Sequence, residues 1–307
     1  DPDRLRLVSN ATLVLPDRLA RGWLAVDERG LIAGWGEDAP PERGLDLDGD
    51  LLLPGLVELH TDHLEAHHAP RPGVRWHPPA AVMAYDAQIA ASGITTVFDS
   101  LRAGSDADGG GGSDELFRLA AALADARSDG LLRCDHRTHL RCEVTAPDVL
   151  GALERFLDLY PVDLISVMDH TPGQRQFRDL AQYVRYYTRR AGTPPAEMEA
   201  TVAEKRARNA AIVARQRPAL VRMARAAGVP LASHDDTTLD DVAESHRDGV
   251  SIAEFPTTLD AARACREAGI TVMMGAPNLI RGGSHSGNVA AEALAREGLL
   301  DVLSSDY

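Results

Sequence analysis

The chain has 307 residues, of which 44% are hydrophobic and 25% charged, and this composition is typical of a globular protein with a large buried core. The formal net charge of −14 and the pI near 5.2 argue against a nucleic-acid or membrane partner, because phosphate groups would be repelled over most of the surface. No uncharged apolar run is long enough to cross a membrane and the first residues lack the features of a signal peptide, so we expect a cytoplasmic protein.

The first part of the chain, residues 1–53, has the pattern of short strands separated by turns. Apolar runs are divided by turn residues, of which Glu28-Arg29-Gly30 is the clearest example. We therefore predict that residues 1–53 are part of a small β-sandwich domain.

From Leu56 onward the pattern changes to strand, loop and helix in repeated alternation. Such alternation is typical of βαβ units that build a parallel sheet. Helices are predicted at residues 79–92, 114–128, 146–160, 197–227, 238–248, 258–268 and 289–297. Eight strands with helices between them predict an α/β fold, a (β/α)8 TIM-like barrel over residues 54–307. Because the chain stops directly after the eighth strand, we expect this barrel to lack its C-terminal end.

Two segments interrupt the alternation. Residues 104–113 are rich in glycine, serine and aspartate, which predicts a surface loop. Residues 171–227, between the fourth and fifth barrel strands, are too many for one crossover connection. They predict a helical arm that serves as a lid or as the contact of a homodimer.

Polar side chains follow the predicted barrel strands at the points where these strands end. His60 and Asp62 lie at the exit of the first barrel strand, where both can turn toward one divalent metal ion. The exits of all strands of a parallel barrel meet at its catalytic face. The metal ligands predicted at these exits are His60, Asp62, Glu143, His170, His234 and Asp306. For His60 and Asp62 taken alone, the alternative is a turn with a capping aspartate.

The donor types of this predicted site limit the choice of metal. Imidazole and carboxylate donors without thiolates favour zinc, with manganese or iron as alternatives. Lys205 is the single lysine of the chain, so a carboxylated lysine that bridges two metal ions is not expected. Glu143 is the carboxylate predicted for that bridging position, and one or two ions are expected.

A glycine-rich loop follows the seventh predicted barrel strand and leads to a helix predicted from Val289. Glycines let backbone N–H groups close on an anion, a helix N-terminus favours negative charge, and Arg281 offers a fork for phosphate oxygens. Two further arginines lie on a proline-stiffened loop after the first barrel strand. The predicted substrate-binding residues are Arg71, Arg75, Arg281, Ser284, His285 and Asn288. The alternatives are a glycine-rich turn with an asparagine cap and ordinary surface arginines.

Seven segments in combination carry a family resemblance. They are HTDHLEAHHAPRPGVRW (60–76), GITTVFDS (93–100), THLRCE (138–143), VMDHTPGQRQF (167–177), SHDDTT (233–238), AEFPTT (253–258) and GAPN…RGGSHSGN (275–288). On these segments the chain resembles the PhnM family of phosphonate-metabolism proteins, in the amidohydrolase superfamily. The resemblance covers nearly all of residues 50–307, although the usual HxH of that superfamily is HxD here.

The resemblance implies a metal-dependent diphosphatase of the carbon–phosphorus lyase pathway. Its reaction converts alpha-D-ribose 1-methylphosphonate 5-triphosphate and water to alpha-D-ribose 1-methylphosphonate 5-phosphate and pyrophosphate. In that reaction Asp306 is the catalytic residue, which accepts the proton of the attacking water. The alternatives are a deacetylase or cyclic amidase that hydrolyses a C–N bond, and a non-catalytic scaffold subunit. The predicted phosphate-binding residues disfavour the amidase, and the apparently complete ligand set disfavours the scaffold.

Overall fold

Two compact units divide the chain in this computed structural model, Asp1–Leu56 and Val57–Tyr307. The structure describes residues 6–71, 73–105, 113–171, 195–284 and 287–306, and for residues 195–201 it describes the backbone alone. The predicted arm therefore lies partly outside the described residues, as does His285. Among the described residues, no helix has the length and apolarity needed to cross a membrane.

The first unit is built on a five-stranded sheet. Its strands are β1 (Arg6–Val14), β2 (Leu19–Val26), β3 (Ile32–Gly36), β4 (Leu45–Asp46) and β5 (Leu51–Leu52). The order is β3-β2-β1-β4, with β5 also paired to β1, and β1 and β2 are antiparallel. The turn after β2 is held by Asp27, whose carboxylate accepts hydrogen bonds from the backbone N–H groups of Arg29 and Leu31, both at 2.9 Å. This sheet is the small β domain of the predicted fold.

The second unit contains eight strands in sequential order. They are β6 (Leu56–Thr61), β7 (Ile94–Ala103), β8 (Asp135–Glu143), β9 (Leu164–Met168), β10 (Leu231–His234), β11 (Val250–Glu254), β12 (Thr271–Gly275) and β13 (Val302–Ser304). From β7 to β13, neighbouring strands pair in parallel. A parallel bridge between Thr61 and Asp306 closes the sheet on itself. The predicted (β/α)8 barrel is confirmed by this topology.

The helices of this unit lie between consecutive strands. They are α1 (His63–His68), α2 (Pro78–Ala91), α3 (Ser113–Ser128), α4 (Val149–Leu159), α5 (Pro195–Ala226), α6 (Leu239–Arg247), α7 (Leu259–Glu267), α8 (Ala276–Ile280) and α9 (Ala291–Arg296). Side-chain hydrogen bonds define where two of these helices begin. Thr238 and Asp241 form a reciprocal capping box at α6, and Thr258 accepts a hydrogen bond from the N–H of Ala261 at α7.

The stretch after β12 differs from its prediction. The loop expected from Asn278 onward begins instead with the short helix α8, and the helix expected at Val289 begins at Ala291. The reason lies in Asn278, whose Oδ1 accepts a hydrogen bond from Ala291 N at 2.9 Å. This side chain, rather than an asparagine at the cap position, satisfies the start of α9.

The apolar core and the polar interior of the barrel are separated by the alternation of strand side chains. Val97, Leu140 and Ile165 on the strands belong to one buried apolar cluster with Tyr85 of α2 and Phe156 of α4. The side chains on the opposite strand faces include buried histidines and carboxylates. Each of these buried polar groups needs a hydrogen-bond partner or a bound ligand.

Candidate active site

A cavity of about 240 Å³ lies where the barrel strands end. It is lined by Asp62, Arg141, His170, His234, Asp235, Phe255, Pro256, Met274, Gly275, Asn278, Arg281, Gly283, Ser284, Asn288 and Asp306. Eight of these residues lie at the last residue of a barrel strand or within two residues after it: Asp62, His170, His234, Asp235, Phe255, Pro256, Gly275 and Asp306. The carboxyl ends of barrel strands are the usual place of an active site in this fold.

Three residues after the strands adopt the left-handed backbone conformation. Asp235, Phe255 and Asp306 have φ values of 58°, 57° and 60°. Each donates its backbone N–H to the carbonyl of a neighbouring strand: Asp235 to Glu254 at 2.9 Å, Phe255 to Met273 at 2.9 Å, and Asp306 to His60 at 3.1 Å. This conformation is costly for residues other than glycine, and such strain tends to cluster at functional sites. Here all three strained residues line the cavity.

The carboxylates and imidazoles form three groups whose ligand atoms all lie within 4.8 Å of one another. The first group is His60, His139 and Glu254, the second is His170, His234 and Asp235, and the third is His60, Asp62 and Asp306. The structure therefore brings together five of the six predicted metal ligands in the second and third groups. Glu143 lies outside all three groups.

Glu254 is the buried centre of the histidine cluster. Its Oε1 lies 3.2 Å from His60 Nδ1 and 3.3 Å from His139 Nε2, and its Oε2 accepts a hydrogen bond from His234 Nδ1 at 3.0 Å. Burial opposes ionisation, but the charge of His60 and the hydrogen bond from His234 outweigh it, so that the pKa of Glu254 is well below its usual range. Burial lowers the pKa of His139 to about 3, which keeps that ring neutral.

The fit of a metal ion to this donor set is tested by the buried polar atoms. Among the described residues, no partner meets hydrogen-bond geometry at either ring nitrogen of His60 or at Asp235 Oδ2, although His60 Nδ1 lies 3.2 Å from Glu254 Oε1 and Asp235 Oδ2 lies 3.4 Å from His234 Nε2. Buried polar atoms in folded proteins nearly always have a partner. Imidazole nitrogens and carboxylate oxygens that lack one and face each other suit a divalent ion, so the residues present fit a metal.

Glu143 contacts His170 instead of the other predicted ligands. Glu143 Oε2 accepts a hydrogen bond from His170 Nδ1 at 2.5 Å, and Oε1 accepts one from Thr145 Oγ1 at 2.6 Å. Burial opposes ionisation of Glu143, but these bonds lower its pKa to about 2. The carboxylate thus fixes His170 through Nδ1 and leaves its Nε2 as the nitrogen available to a ligand.

Asp62 is paired with a buried arginine that the sequence pattern did not single out. Arg141 Nη1 donates a hydrogen bond to Asp62 Oδ1. Burial would raise the pKa of Asp62, but the charges of Arg141 and His60 lower it below its ordinary value. The sequence did contain one indication of Arg141. Side chains alternate between the two faces of a strand, so His139, Arg141 and Glu143 of β8 lie on the same face.

Asp306 is held close to the end of β12. A Cβ at Gly275 would lie 3.0 Å from Asp306 Oδ2, so a side chain at that position would press on the Asp306 carboxylate. Burial and the charge of Asp62 raise the pKa of Asp306, against the opposing effect of His60.

The predicted phosphate-binding residues separate into two sets. Arg281, Ser284 and Asn288 line the cavity. Arg71 and Arg75 are exposed and do not line it, and Arg75 Nε lies 3.4 Å from Glu115 Oε2. Nothing in the local sequence indicates that the loop after β6 places these two arginines outside the cavity.

Comparison with known proteins points to one group of enzymes. No protein-family model matches the sequence. An alpha-D-ribose 1-methylphosphonate 5-triphosphate diphosphatase from Escherichia coli (strain K12) is 45% identical to the chain over 303 residues. The match covers 98% of this chain and 80% of that protein.

Solved structures share the fold at low sequence identity. A 5-methylcytosine deaminase from Klebsiella pneumoniae liganded with phosphonocytosine superposes with a TM-score of 0.60 at 15% identity, over 98% of this chain and 75% of its own. An uncharacterized metal-dependent hydrolase from Pyrococcus furiosus gives 0.59 at 10% identity, over 99% of this chain and 85% of its own. A triazine hydrolase variant gives 0.59 at 14% identity, over 99% and 72%.

Proposed function

Because the chain belongs to the family of alpha-D-ribose 1-methylphosphonate 5-triphosphate diphosphatases, in the amidohydrolase superfamily, we propose that it hydrolyses that triphosphate. The products are alpha-D-ribose 1-methylphosphonate 5-phosphate and pyrophosphate. The observation that carries the proposal is the cavity itself, which is lined both by members of the imidazole and carboxylate groups and by Arg281 with its glycine-rich segment. A hydrolase for a phosphoanhydride needs both features in one place.

The metal-binding residues of the proposal come from the second and third ligand groups. His60, Asp62 and Asp306 would hold one ion, and His170, His234 and Asp235 offer the donors for another. Zinc suits imidazole and carboxylate donors, and manganese and iron share them. When bound, a divalent ion supplies Lewis acidity, which polarises a phosphoryl oxygen and makes a nearby water more acidic.

The protein's own residues complete the reaction. Asp306 accepts the proton of the water whose oxygen forms a bond to the α-phosphorus, while the bond from that phosphorus to the bridging oxygen breaks. Pyrophosphate leaves with that oxygen. The Arg281 guanidinium pairs with the charge on the leaving pyrophosphate, and Ser284 and Asn288 offer hydrogen bonds at the same wall. His285 remains a predicted contact of the same loop.

We assign Glu143 a different task from the bridging position expected for it. Its carboxylate holds His170 by the 2.5 Å hydrogen bond to Nδ1, and histidine ligands are commonly oriented by such a partner. His170 then presents Nε2 to the cavity.

The direct test is the reaction. The protein is freed of metal, reloaded with zinc or manganese, and incubated with alpha-D-ribose 1-methylphosphonate 5-triphosphate while phosphorus NMR follows the products. We expect one pyrophosphate for each substrate consumed and metal-dependent turnover. Release of single phosphates, or no turnover by fully loaded protein, would reject the proposal.

A parallel assay addresses the C–N alternative. The same loaded protein is incubated with an N-acetylated amine and with a cyclic amide. We expect hydrolysis of both to be at least about a thousandfold slower than that of the triphosphate, because neither compound carries the phosphate groups that the anion-binding part of the cavity recognises. Turnover of either compound in preference to the triphosphate would favour a deacetylase or cyclic amidase.

A further inference from the structure

Arg141 is a largely buried cation in the wall of the cavity. It lies on β8, its side chain is 12% exposed, and its Nη1 donates a hydrogen bond to Asp62. Asp62 belongs to the same ligand group as His60 and Asp306. The guanidinium is therefore within one hydrogen bond of the place where the proposed chemistry occurs.

The guanidinium has more donors than the ion pair with Asp62 uses. Arginine carries five N–H donors in a planar fork. Among the described residues, Arg141 Nε is buried and has no hydrogen-bond partner. A buried N–H without an acceptor is costly, and the same guanidinium lines the cavity with 12% of its side chain exposed, so a group that enters the cavity can use its donors. A phosphoryl group offers several oxygens in the geometry that this fork recognises.

The positions of the charged residues in the cavity show where a phosphoryl substrate could be bound. Asp62, Asp235 and Asp306 line it, and these carboxylates repel a polyanion. Among the described lining residues, the two arginines Arg141 and Arg281 oppose them. Arg141 is next to the ligand group and Arg281 is exposed, so the two cations stand at different depths. A chain of phosphoryl groups that enters the cavity would meet both.

We propose that Arg141 binds the non-bridging oxygens of the phosphoryl group under attack, and so selects phosphoryl over amide substrates. This inference rests on the proposed function. In this arrangement Arg141 contacts the α-phosphoryl group beside His60, Asp62 and Asp306, while Arg281 contacts the leaving pyrophosphate. The ion pair with Asp62 engages Nη1 and holds the guanidinium at the cavity, where its exposed part can meet the phosphoryl oxygens.

The test compares Arg141→Met and Arg141→Lys with Arg281→Met and with the surface control Arg222→Met on α5. Each metal-loaded protein is titrated with inorganic phosphate by calorimetry, its metal content is measured, and kcat and KM for the triphosphate are determined. We expect Arg141→Met to retain its metal, to bind phosphate at least about tenfold more weakly and to lose about 100-fold in kcat. Arg141→Lys keeps the charge without the fork, and we expect intermediate values.

The outcomes separate this inference from the proposed function. Phosphate affinity and kcat that stay within twofold of wild type in Arg141→Met overturn the inference, and so does the loss of metal from both Arg141 variants, which would give Arg141 a purely structural role. If Arg141→Met does not fold, unchanged phosphate affinity and kcat in Arg141→Lys overturn it. If wild type releases no pyrophosphate yet binds phosphate in an Arg141-dependent manner, the proposed function fails while Arg141 remains a phosphoryl-binding residue.

Discussion

Three imidazoles surround the carboxylate of Glu254, and two of them also pack against the ring of Phe255. The Phe255 ring meets His60 edge-on at 4.9 Å and His234 at 5.4 Å between ring centroids. A carboxylate that holds imidazoles through one nitrogen directs the other nitrogen outward. The second nitrogen of His234, Nε2, lies 3.4 Å from Asp235 Oδ2 at the cavity. Glu254 thus sets the direction in which the donor atoms face.

Asp306 is the residue whose loss most directly tests the chemistry. Asp306→Asn removes the proton acceptor and preserves the size of the side chain. We expect kcat to fall by at least about 1,000-fold, which corresponds to about 4 kcal/mol in the activation barrier. The measurement is initial pyrophosphate release, with metal content determined on the same sample. Normal metal content with full turnover would exclude this role for Asp306.

Two variants test whether Glu143 orients His170 or binds the metal directly. Glu143→Gln weakens the hold on His170 Nδ1, and we expect metal affinity to fall by about 10- to 100-fold. His170→Ala removes the donor itself and should cost more. Competitive titration with a chelator measures both, with the exposed Glu154→Gln on α4 as the control. Equal losses in Glu143→Gln and His170→Ala would indicate that Glu143 binds the metal directly.

At the scale of elements, the barrel closes through a buried carboxylate. Glu58 Oε1 accepts a hydrogen bond from His60 N at 2.8 Å, and Oε2 accepts one from Ser305 N at 2.6 Å. The backbone of Asp62 donates to Asp306 O at 2.7 Å in the same seam between β6 and β13. Glu58 therefore ties together the two strands that carry His60 and Asp306.

This seam predicts a combined effect on stability and catalysis. In Glu58→Gln the amide nitrogen faces a backbone N–H that needs an acceptor, and we expect the free energy of unfolding to fall by about 2 kcal/mol. Urea unfolding measures this loss, and kcat should fall while metal stays bound. The control is Glu267→Gln, the same change at an exposed position of α7. Unchanged stability and unchanged kcat would show that Glu58 is not needed to hold β6 and β13 together.

Element types were largely predictable, because helices and strands of a parallel barrel have distinct periods and capping residues. Thr238 and Thr258, which were predicted to start helices, are the caps of α6 and α7. The segment after β12 was not predictable in the same way, since its first turn, α8, is too short for a periodic pattern. Its anchor, the Asn278 hydrogen bond to Ala291, spans 13 residues of loop and helix.

The candidate site was predictable to the extent that it depends on strand exits. His60 and His234 lie at such exits, and the fold places them side by side with ring centroids 5.7 Å apart. The role of Arg141 depends on its contact with Asp62 across 79 positions of sequence, which no local pattern encodes. The course of the loop that carries Arg71 and Arg75 depends likewise on tertiary contacts such as Arg75 with Glu115.

At the scale of the whole molecule, a second polar cluster joins the barrel wall to α2. Asp86 of α2 accepts hydrogen bonds from Arg133 N at 2.8 Å and from Arg133 Nη1 at 2.8 Å, and it contacts His136 at 3.3 Å. His136 Nδ1 lies 3.0 Å from Asp99 on the neighbouring strand. His136 thus faces α2, whereas His139, three residues later, faces the interior, as expected for an odd offset on a strand.

This cluster makes global stability depend on pH in the acid range. Burial opposes ionisation of Asp86, but the hydrogen bonds from Arg133 and Cys134 lower its pKa below the ordinary 3.8. Its contribution is therefore complete above 3.8 and is lost as the pH falls through the lower pKa of the folded state. We expect Asp86→Asn to lose about 3 kcal/mol at neutral pH, with a deficit that narrows in acid.

Urea unfolding at neutral pH and at several acid values provides the measurement, and the exposed Asp125→Asn on α3 provides the matched control. A deficit for Asp86→Asn that does not change with pH would show that the ionised carboxylate is not the stabilising form.

The site of water attack is the central claim, and isotope labelling tests it directly. The metal-loaded protein turns over the triphosphate in water enriched in oxygen-18, and phosphorus NMR locates the label by its isotope shift. Attack on the α-phosphorus places one labelled oxygen in the 5-phosphate of the ribose product and leaves the pyrophosphate unlabelled. Label in the pyrophosphate, with none in the ribose 5-phosphate, would mean attack at the β-phosphorus and would contradict the arrangement of Asp306, Arg141 and Arg281 proposed for this cavity.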